Sequence, residues 1–459
     1  MELDIQRLIG ERAKENVDLH AAHVNPQFAK VLRTIGFDKS WIRGQGPYLY
    51  DTDGREYLDM LSGYGMFNVG RNHPKVKKIL SDFLAMDHAS LVQMEAPITS
   101  GLLAEELKKR VPSSLDTVYF TNSGTESNET AIKFAHCATR RPRIVYCHHA
   151  FHGLTNGSLS INGEEFFRSG FSPLLPDCTP IALGDLAALN AELSRGDVAG
   201  FVLEPIQGKG VHVASDEFLR GAAECCRKHG TLFILDEVQT GFGRTGKLFA
   251  MEHSGVVPDV LLLSKALSGG YVPVGAVMTR REVFLKVFSS MDRCVVHSST
   301  FGQGAFAMVA GLAALSVLDE EKLVENAQRM GGLLFSGLEQ LKERFELIQE
   351  VRGKGLMIGI EFGRPKSFTL RMGWDLAHKM SSSLFGQAIV IPLLADHAIV
   401  TQVSGHGIDV VKLIPPLVIT ERDVDRFLTA FEQVVEKAHH FPGPVWEVTS
   451  RLAKFALKR

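Results

Sequence analysis

Thr231-Leu-Phe-Ile-Leu-Asp-Glu-Val-Gln239 is a short apolar run that stops on two acids. A run of this length, rich in strand-forming residues, predicts a strand buried on both faces, as in a parallel sheet. Asp236 then falls at the strand's carboxyl end, on the rim where open α/β sheets hold their ligands. A carboxylate at the edge of a core is unfavourable unless a cation or a hydrogen-bond donor meets it. Asp236 therefore calls for a charged partner, and that partner need not be protein.

A second apolar stretch, Val260-Leu-Leu-Leu-Ser-Lys265, ends on a lysine 29 residues after Asp236. Most lysines are solvated, but one that closes a buried strand is partly desolvated. Its pKa falls, and the neutral amine becomes a nucleophile. Such an amine opposite a buried carboxylate suits Schiff-base chemistry. The lysine holds an aldehyde, and the acid keeps a pyridine nitrogen protonated so that the ring withdraws electrons.

The segments Asp236-Glu-Val-Gln-Thr-Gly-Phe-Gly-Arg-Thr-Gly246 and Leu263-Ser-Lys-Ala-Leu-Ser-Gly-Gly270 resemble the core of the class III aminotransferases. These are fold type I enzymes of the ornithine, acetylornithine, putrescine and 4-aminobutyrate type, and they depend on pyridoxal 5'-phosphate. The resemblance runs from about residue 48 to residue 420, with several motifs in the family's order.

Composition agrees with a globular enzyme. The chain has 459 residues, 45% hydrophobic and 22% charged, which is ordinary for globular proteins and long enough for two or three domains. A net charge of −2 gives no electrostatic reason to expect nucleic acid. No apolar run approaches the ~20 residues that span a bilayer, and Met1-Glu-Leu-Asp-Ile-Gln-Arg7 is too charged for a secretory signal. Cys137, Cys147, Cys178, Cys225, Cys226 and Cys294 show neither metal spacing nor a disulfide framework, so a reducing cytoplasm is expected.

The first 40 residues have helical spacing with a break at Asn25-Pro26, and a hairpin follows with Asp53-Gly54 as its turn. Strands are expected at Thr117-Val-Tyr-Phe120, Ile144-Val-Tyr-Cys147, Gly200-Phe-Val-Leu203, Leu232-Phe-Ile-Leu235, Val260-Leu-Leu-Leu263 and Gly275-Ala-Val-Met278, with helices between most of them. That alternation predicts an α/β fold with a large, doubly wound, mostly parallel sheet. One long helix over residues 305–327 is expected to lead out of it into a smaller α+β domain. The expected divisions are 1–60 (N-terminal arm and hairpin, packing with the small domain), 61–330 (large, cofactor-binding) and 331–459 (small). The basic tail Arg451-Leu-Ala-Lys-Phe-Ala-Leu-Lys-Arg459 reads as a solvated terminal helix.

Thr117-Val-Tyr-Phe-Thr-Asn-Ser-Gly-Thr-Glu126 reads as strand, polar turn and helix start, with Ser123 and Glu126 at capping-box spacing. Such a turn either only caps its helix or also binds a phosphate on its free N–H groups, with Gly124 allowing close approach and Thr125 adding a hydroxyl. In this order, before the Asp and the Lys, it resembles the family's phosphate cup. Tyr146-Cys-His-His-Ala-Phe-His-Gly153 carries three histidines, but no matching ligands lie elsewhere to make a metal site.

The resemblance implies the remaining roles. Phe151 stacks on the cofactor ring, with His152 beside it. Glu204, and Gln207 near it, form the wall behind the cofactor. Asp236 pairs with the pyridinium nitrogen, Val238 packs on the ring face and Gln239 bonds the ring oxygen. Lys265 forms the Schiff base and then shuttles the proton. Thr300, in Val296-His-Ser-Ser-Thr-Phe-Gly-Gln303, reaches the phosphate of a dimer partner. The loop Gly63-Tyr-Gly-Met-Phe-Asn-Val-Gly70 lies near the substrate mouth, which makes Tyr64 a candidate substrate contact.

Two positions depart from the family. Members that bind an α-carboxylate usually carry an arginine where Val411-Lys-Leu-Ile-Pro-Pro-Leu417 has Lys412, and the ornithine type carries an acid where this chain has Lys209. Lysine cannot grip a carboxylate in bidentate fashion. Either the two lysines hold an acidic group loosely, or Lys412 points to solvent and the substrate lacks a carboxylate. The expected activity is transfer of an amino group between a primary amine or amino acid, with a terminal amine favoured, and a keto or aldehyde acceptor. An aminomutase, racemase or decarboxylase on the same core, or a silent scaffold, are the alternatives.

Overall fold

The computed structural model of this chain describes residues 3–92, 94–380 and 384–456. Helices Ile5–Arg12, Asn16–His23 and Pro26–Ile35 open it. Asn25 accepts from Phe28 N and Pro26 occupies the first turn, which is why the helical pattern restarts there. Strands β1 (Trp41–Gln45), β2 (Tyr48–Asp51) and β3 (Glu56–Asp59) then run antiparallel, with Gly54 at φ +79° in the second turn.

The large sheet holds β4 (Thr117–Thr121), β5 (Arg143–Cys147), β6 (Cys178–Ile181), β7 (Val198–Leu203), β8 (Leu232–Asp236), β9 (Val260–Leu263) and β10 (Gly275–Thr279). Its order is β4-β10-β9-β8-β7-β5-β6, and only β10 runs against its neighbours. The expected strands are all present. β6 is additional: a four-residue edge strand containing Pro180, which an apolar-run criterion passes over. β7, β8 and β9 are buried throughout, which is the reason their sequences are continuous rather than alternating.

Helix Gly124–Thr139 packs one face of the sheet with Ala131, Ile132 and Ala135. Helices Asp216–His229 and Ala305–Glu320 pack the other with Phe218, Ala222, Met308 and Leu315. The sheet is therefore wound on both sides, as expected.

The single helix expected over residues 305–327 is two helices, Ala305–Glu320 and Leu323–Arg344. Lys322 between them is left-handed at φ +51°. The charged run Asp319-Glu-Glu-Lys322 has no apolar face to hold one straight axis, and the chain turns there. The second helix packs on β11 (Ile348–Lys354) and on helix Glu421–Ala438. β11 pairs with β12 (Met357–Phe362), β13 (Ile399–Val400) leaves this region, and β14 (Gln402–Val403) and β15 (Val410–Leu413) complete a second sheet in the order β11-β12-β15-β14. β13 instead runs parallel to β3 and closes the N-terminal sheet. The expected terminal helix is present as Pro444–Ala456; it buries Val445 and Trp446 ahead of the basic tail and Leu452 within it, so that residue is docked rather than solvated, while 457–459 lie outside the described residues.

Arg244 bridges these parts. It is fully buried, and its guanidinium donates to Leu356 O at 3.1 Å, Asn68 Oδ1 at 2.5 Å and Ser62 Oγ at 3.4 Å, and to Pro415 O. Burial pushes its pKa down to about 9. Arg244→Met leaves these acceptors unpaired in the interior, and is expected to destabilise the protein by about 3–5 kcal/mol in urea unfolding. A loss below about 1 kcal/mol would remove this role.

Candidate active site

The site is built on one rim of the large sheet. β8 and β9 are parallel neighbours with Asp236 opposite Leu262, so Asp236 and Lys265 emerge at the same end. β4 ends there too, because Thr121 lies opposite Gly275 and Leu263 opposite Ala276. Ser123 then caps helix Gly124–Thr139 by accepting from Glu126 N at 3.3 Å. Glu126 turns back to Asn122 N at 2.8 Å, one residue earlier than a reciprocal capping box requires.

Asp236 is 4% exposed, and both its carboxylate oxygens are hydrogen-bonded. Oδ1 accepts from Val238 N at 3.0 Å, and Oδ2 accepts from Asn128 Nδ2 at 2.8 Å and lies 2.8 Å from His152 Nδ1. Burial alone would raise the carboxyl's pKa. His152, through its hydrogen bond and its charge, together with Asn128 and Val238, outweighs burial and holds it below the usual range. Burial likewise opposes the charged form of His152, yet Asp236 holds its pKa above the ordinary value. His152 is therefore a buried support behind Asp236, and its Nε2 has no partner among the described residues. No cluster among the described residues has the makeup of a metal site.

Lys265 opens a short 3₁₀ turn at φ +41°, directly after Ser264. Its Nζ has no hydrogen-bond partner among the described residues. Burial lowers its pKa, against the opposing pull of Asp236 and Glu204. Glu204 is buried, with Oε2 accepting from Phe151 N at 2.9 Å and Oε1 from Gly208 N at 2.8 Å. Burial raises its pKa. It thus anchors the backbone that carries Phe151, while Gln207 Nε2 donates to His148 O at 2.7 Å.

The phosphate turn is close-packed against Val238. A Cβ at Gly124 would lie 2.8 Å from Val238 Cγ1, so this position requires glycine. The N–H groups of Gly124 and Thr125 have no protein acceptor among the described residues, as expected of a helix start. The Thr125 hydroxyl is turned away onto Thr155 Oγ1 at 2.7 Å and Ser158 Oγ at 2.6 Å. What Thr125 presents at the turn is its N–H.

Gln239 lies between two other groups. Its Oε1 accepts from Lys412 Nζ at 2.5 Å, and its Nε2 donates to Tyr64 O at 2.9 Å, leaving one amide hydrogen. Tyr64 is half exposed at φ +62°, and its hydroxyl meets Gln402. Lys412 does not point to solvent. It is 2% exposed and also donates to Gly208 O at 2.7 Å. Lys209 Nζ lies 5.1 Å from the ring centroids of both Phe151 and Phe167. Thr300 is exposed, and its neighbour Ser299 Oγ accepts from Asn122 Nδ2 at 2.7 Å, which ties that loop to the phosphate turn.

Sequence reading missed Asn128, Phe167 and Gln402. Asn128 had a usable signal, one helical turn past Gly124 on the same helix face. Phe167 and Gln402 meet the site only through tertiary contacts.

A lone amine of lowered pKa, an acceptor carboxylate on the same rim and a helix start with free N–H groups are the groups a phosphorylated pyridine aldehyde requires. Comparisons with known proteins agree. Residues 38–435 match the family described as aminotransferase class-III, and the chain belongs to that family. Members of this family depend on pyridoxal 5'-phosphate.

Among individual relatives, aminotransferase PigE of Serratia sp. is 36% identical over 460 residues, covering 93% of this chain and 54% of the relative. The chain thus spans about half the length of that protein. The ornithine aminotransferase of Toxoplasma gondii ME49 superposes with a TM-score of 0.78 at 30% identity, over 87% of this chain and 90% of that one. The omega transaminase of Pseudomonas jessenii, solved in complex with PMP, gives 0.78 at 26% identity, over 87% and 92%.

Proposed function

We propose that the protein is an aminotransferase that moves an amino group between a primary amine or amino acid, with a terminal amine favoured, and a keto or aldehyde acceptor. The observation that carries this is the unpartnered Lys265 amine on the same rim as the ionised Asp236. When bound, pyridoxal 5'-phosphate supplies the aldehyde and the electron-withdrawing ring for this chemistry.

Gly124 and Thr125 N–H groups, with the helix dipole behind them, hold the phosphate. Asp236 keeps a proton on the nitrogen set against it, and His152 and Asn128 fix its carboxylate. Phe151 and Val238 would pack against the ring, and Gln239, with one amide hydrogen left, would donate to its oxygen. Lys265 Nζ would supply the neutral amine that condenses with the aldehyde, whose oxygen would leave as water, and, once freed, the base that would move the substrate proton. Glu204 holds the Phe151 backbone in place.

A homodimer fits this reading, with Thr300 reaching the partner's cofactor. Val295, five residues before Thr300, and Phe301, next to it in sequence, are both more than two-thirds exposed, which suits a covered surface. Six free cysteines suit a reducing cytoplasm. No helix among the described residues is long and apolar enough to cross a membrane.

The test is a panel of amines and amino acids added to the cofactor-loaded protein. The expected outcome is loss of its visible absorbance with at least one amine, and its return with a carbonyl acceptor as the new amine forms. A chromophore that no donor alters, or products without a new carbonyl compound, would overturn the proposal. The second result would point to a mutase or racemase.

A further inference from the structure

Helix Gly124–Thr139 and the loop after β5 supply different halves of the cofactor site. The helix brings the N–H groups of Gly124 and Thr125, and the loop brings Phe151 and His152. A ligand that touches both halves depends on the distance between them.

One face of the helix controls that distance. Glu129 lies four residues past Thr125, on the same face. Its Oε1 accepts from Thr155 Oγ1 at 2.5 Å, Gly157 N at 2.7 Å and Ser158 N at 3.1 Å. These three donors open the short helix Asn156–Ser160, which ends the loop and has no cap from its own Thr155. Glu129 therefore caps it from the neighbouring helix, with negative charge set against unpaired N–H groups. Thr125 repeats the contact one turn earlier. Its hydroxyl lies 2.7 Å from Thr155 Oγ1 and 2.6 Å from Ser158 Oγ, and accepts from Thr155 N at 3.3 Å.

Two glycines let the loop come this close. A Cβ at Gly157 would stand 2.1 Å from Glu129 Oε2, and one at Gly153 would stand 2.4 Å from Thr125 Oγ1. Gly153 directly follows His152, so the seam begins one residue from the imidazole that meets Asp236. No cation pairs with Glu129 among the described residues, and every hydrogen bond its side chain makes goes to this seam.

We propose that Glu129 is a positioning residue for the cofactor: it clamps the loop bearing Phe151 and His152 to the helix that binds the phosphate, and so fixes the spacing between ring supports and phosphate turn. This goes beyond the aminotransferase reading and rests on the cofactor that reading requires.

Pyridoxal 5'-phosphate and pyridoxal, which lacks the phosphate, form the test pair. Each is titrated into the full chain after removal of bound cofactor, with affinity read by equilibrium dialysis and by visible absorbance. Only the phosphorylated aldehyde must satisfy both halves at once. Glu129→Ala is expected to weaken its binding at least about tenfold and that of pyridoxal less than about threefold, because a ligand held at one half does not feel the spacing. Glu129→Gln is expected to stay within about threefold of wild type for both, since an amide oxygen still accepts. Thr155→Val, which removes one of the three bonds to Glu129, is expected to fall between wild type and Glu129→Ala.

Equal losses for the two aldehydes in Glu129→Ala, or no loss for either, would overturn the inference while leaving the aminotransferase reading intact. A general loss of structure would weaken both alike. If Glu129→Ala does not fold, the same comparison in Thr155→Val decides, with the same overturning results. If the wild type forms no chromophore with either aldehyde, the aminotransferase reading falls and takes this inference with it.

Discussion

Lys265→Ala is expected to lower turnover by at least about 10³-fold, with the fold intact. The side chain removed makes no hydrogen bond among the described residues, so its loss strands no buried partner. The surrounding acids Asp236 and Glu204 are held by other donors, namely Asn128, His152, Phe151 N and Gly208 N. Stability should therefore change little while chemistry collapses. Two measurements check this. Rapid-mixing kinetics with the best amine gives the loss, and mass spectrometry after borohydride reduction finds the cofactor's mass on the Lys265 peptide of the wild type and on no peptide of the variant. Turnover within tenfold of wild type would end the assignment.

Asp236→Asn is expected to lower turnover by about 10²–10⁴-fold. The amide keeps the shape and loses the charge. It cannot keep a proton on an opposing ring nitrogen, and it releases His152 from the carboxylate that holds its pKa high. The imidazole should then titrate lower, because burial opposes its charged form. Cofactor binding should weaken far less than turnover, since the phosphate turn is untouched. Equilibrium dialysis of the cofactor beside steady-state kinetics separates the two. Equal losses in both would make Asp236 a binding group only.

The fold was legible where one physical rule acts alone. A strand covered on both faces must be apolar throughout, and β7, β8 and β9 were read from that. The ends of β8 and β9 were read by the same rule, because Asp236 and Lys265 break an otherwise unbroken apolar pattern. The helix start at Ser123 was read from its cap. β6 was not read because Pro180 and a short edge hide it, and the turn at Lys322 was not read because helical apolar spacing on either side of the charged run masks the break.

The site was legible to its first layer only. His152 was placed at the site by resemblance and Asn128 could have been by its helix face, but their hydrogen bonds to Asp236, across 84 and 108 residues, are set by tertiary packing alone. Lys412 shows the same limit. Its identity is in the sequence, but whether it faces water or Gln239 depends on how β15 seats against Gly208.

The parallel pairing of β3 with β13 has an outcome for biosynthesis. Leu58 waits for Ile399, 341 residues further on, before the edge of its sheet is closed. At ribosomal speeds of about 5–20 residues per second, that is roughly 20–70 seconds of an open, hydrogen-bond-hungry strand on the nascent chain. The amino-terminal sheet is thus begun first and closed only after most of the chain has been made.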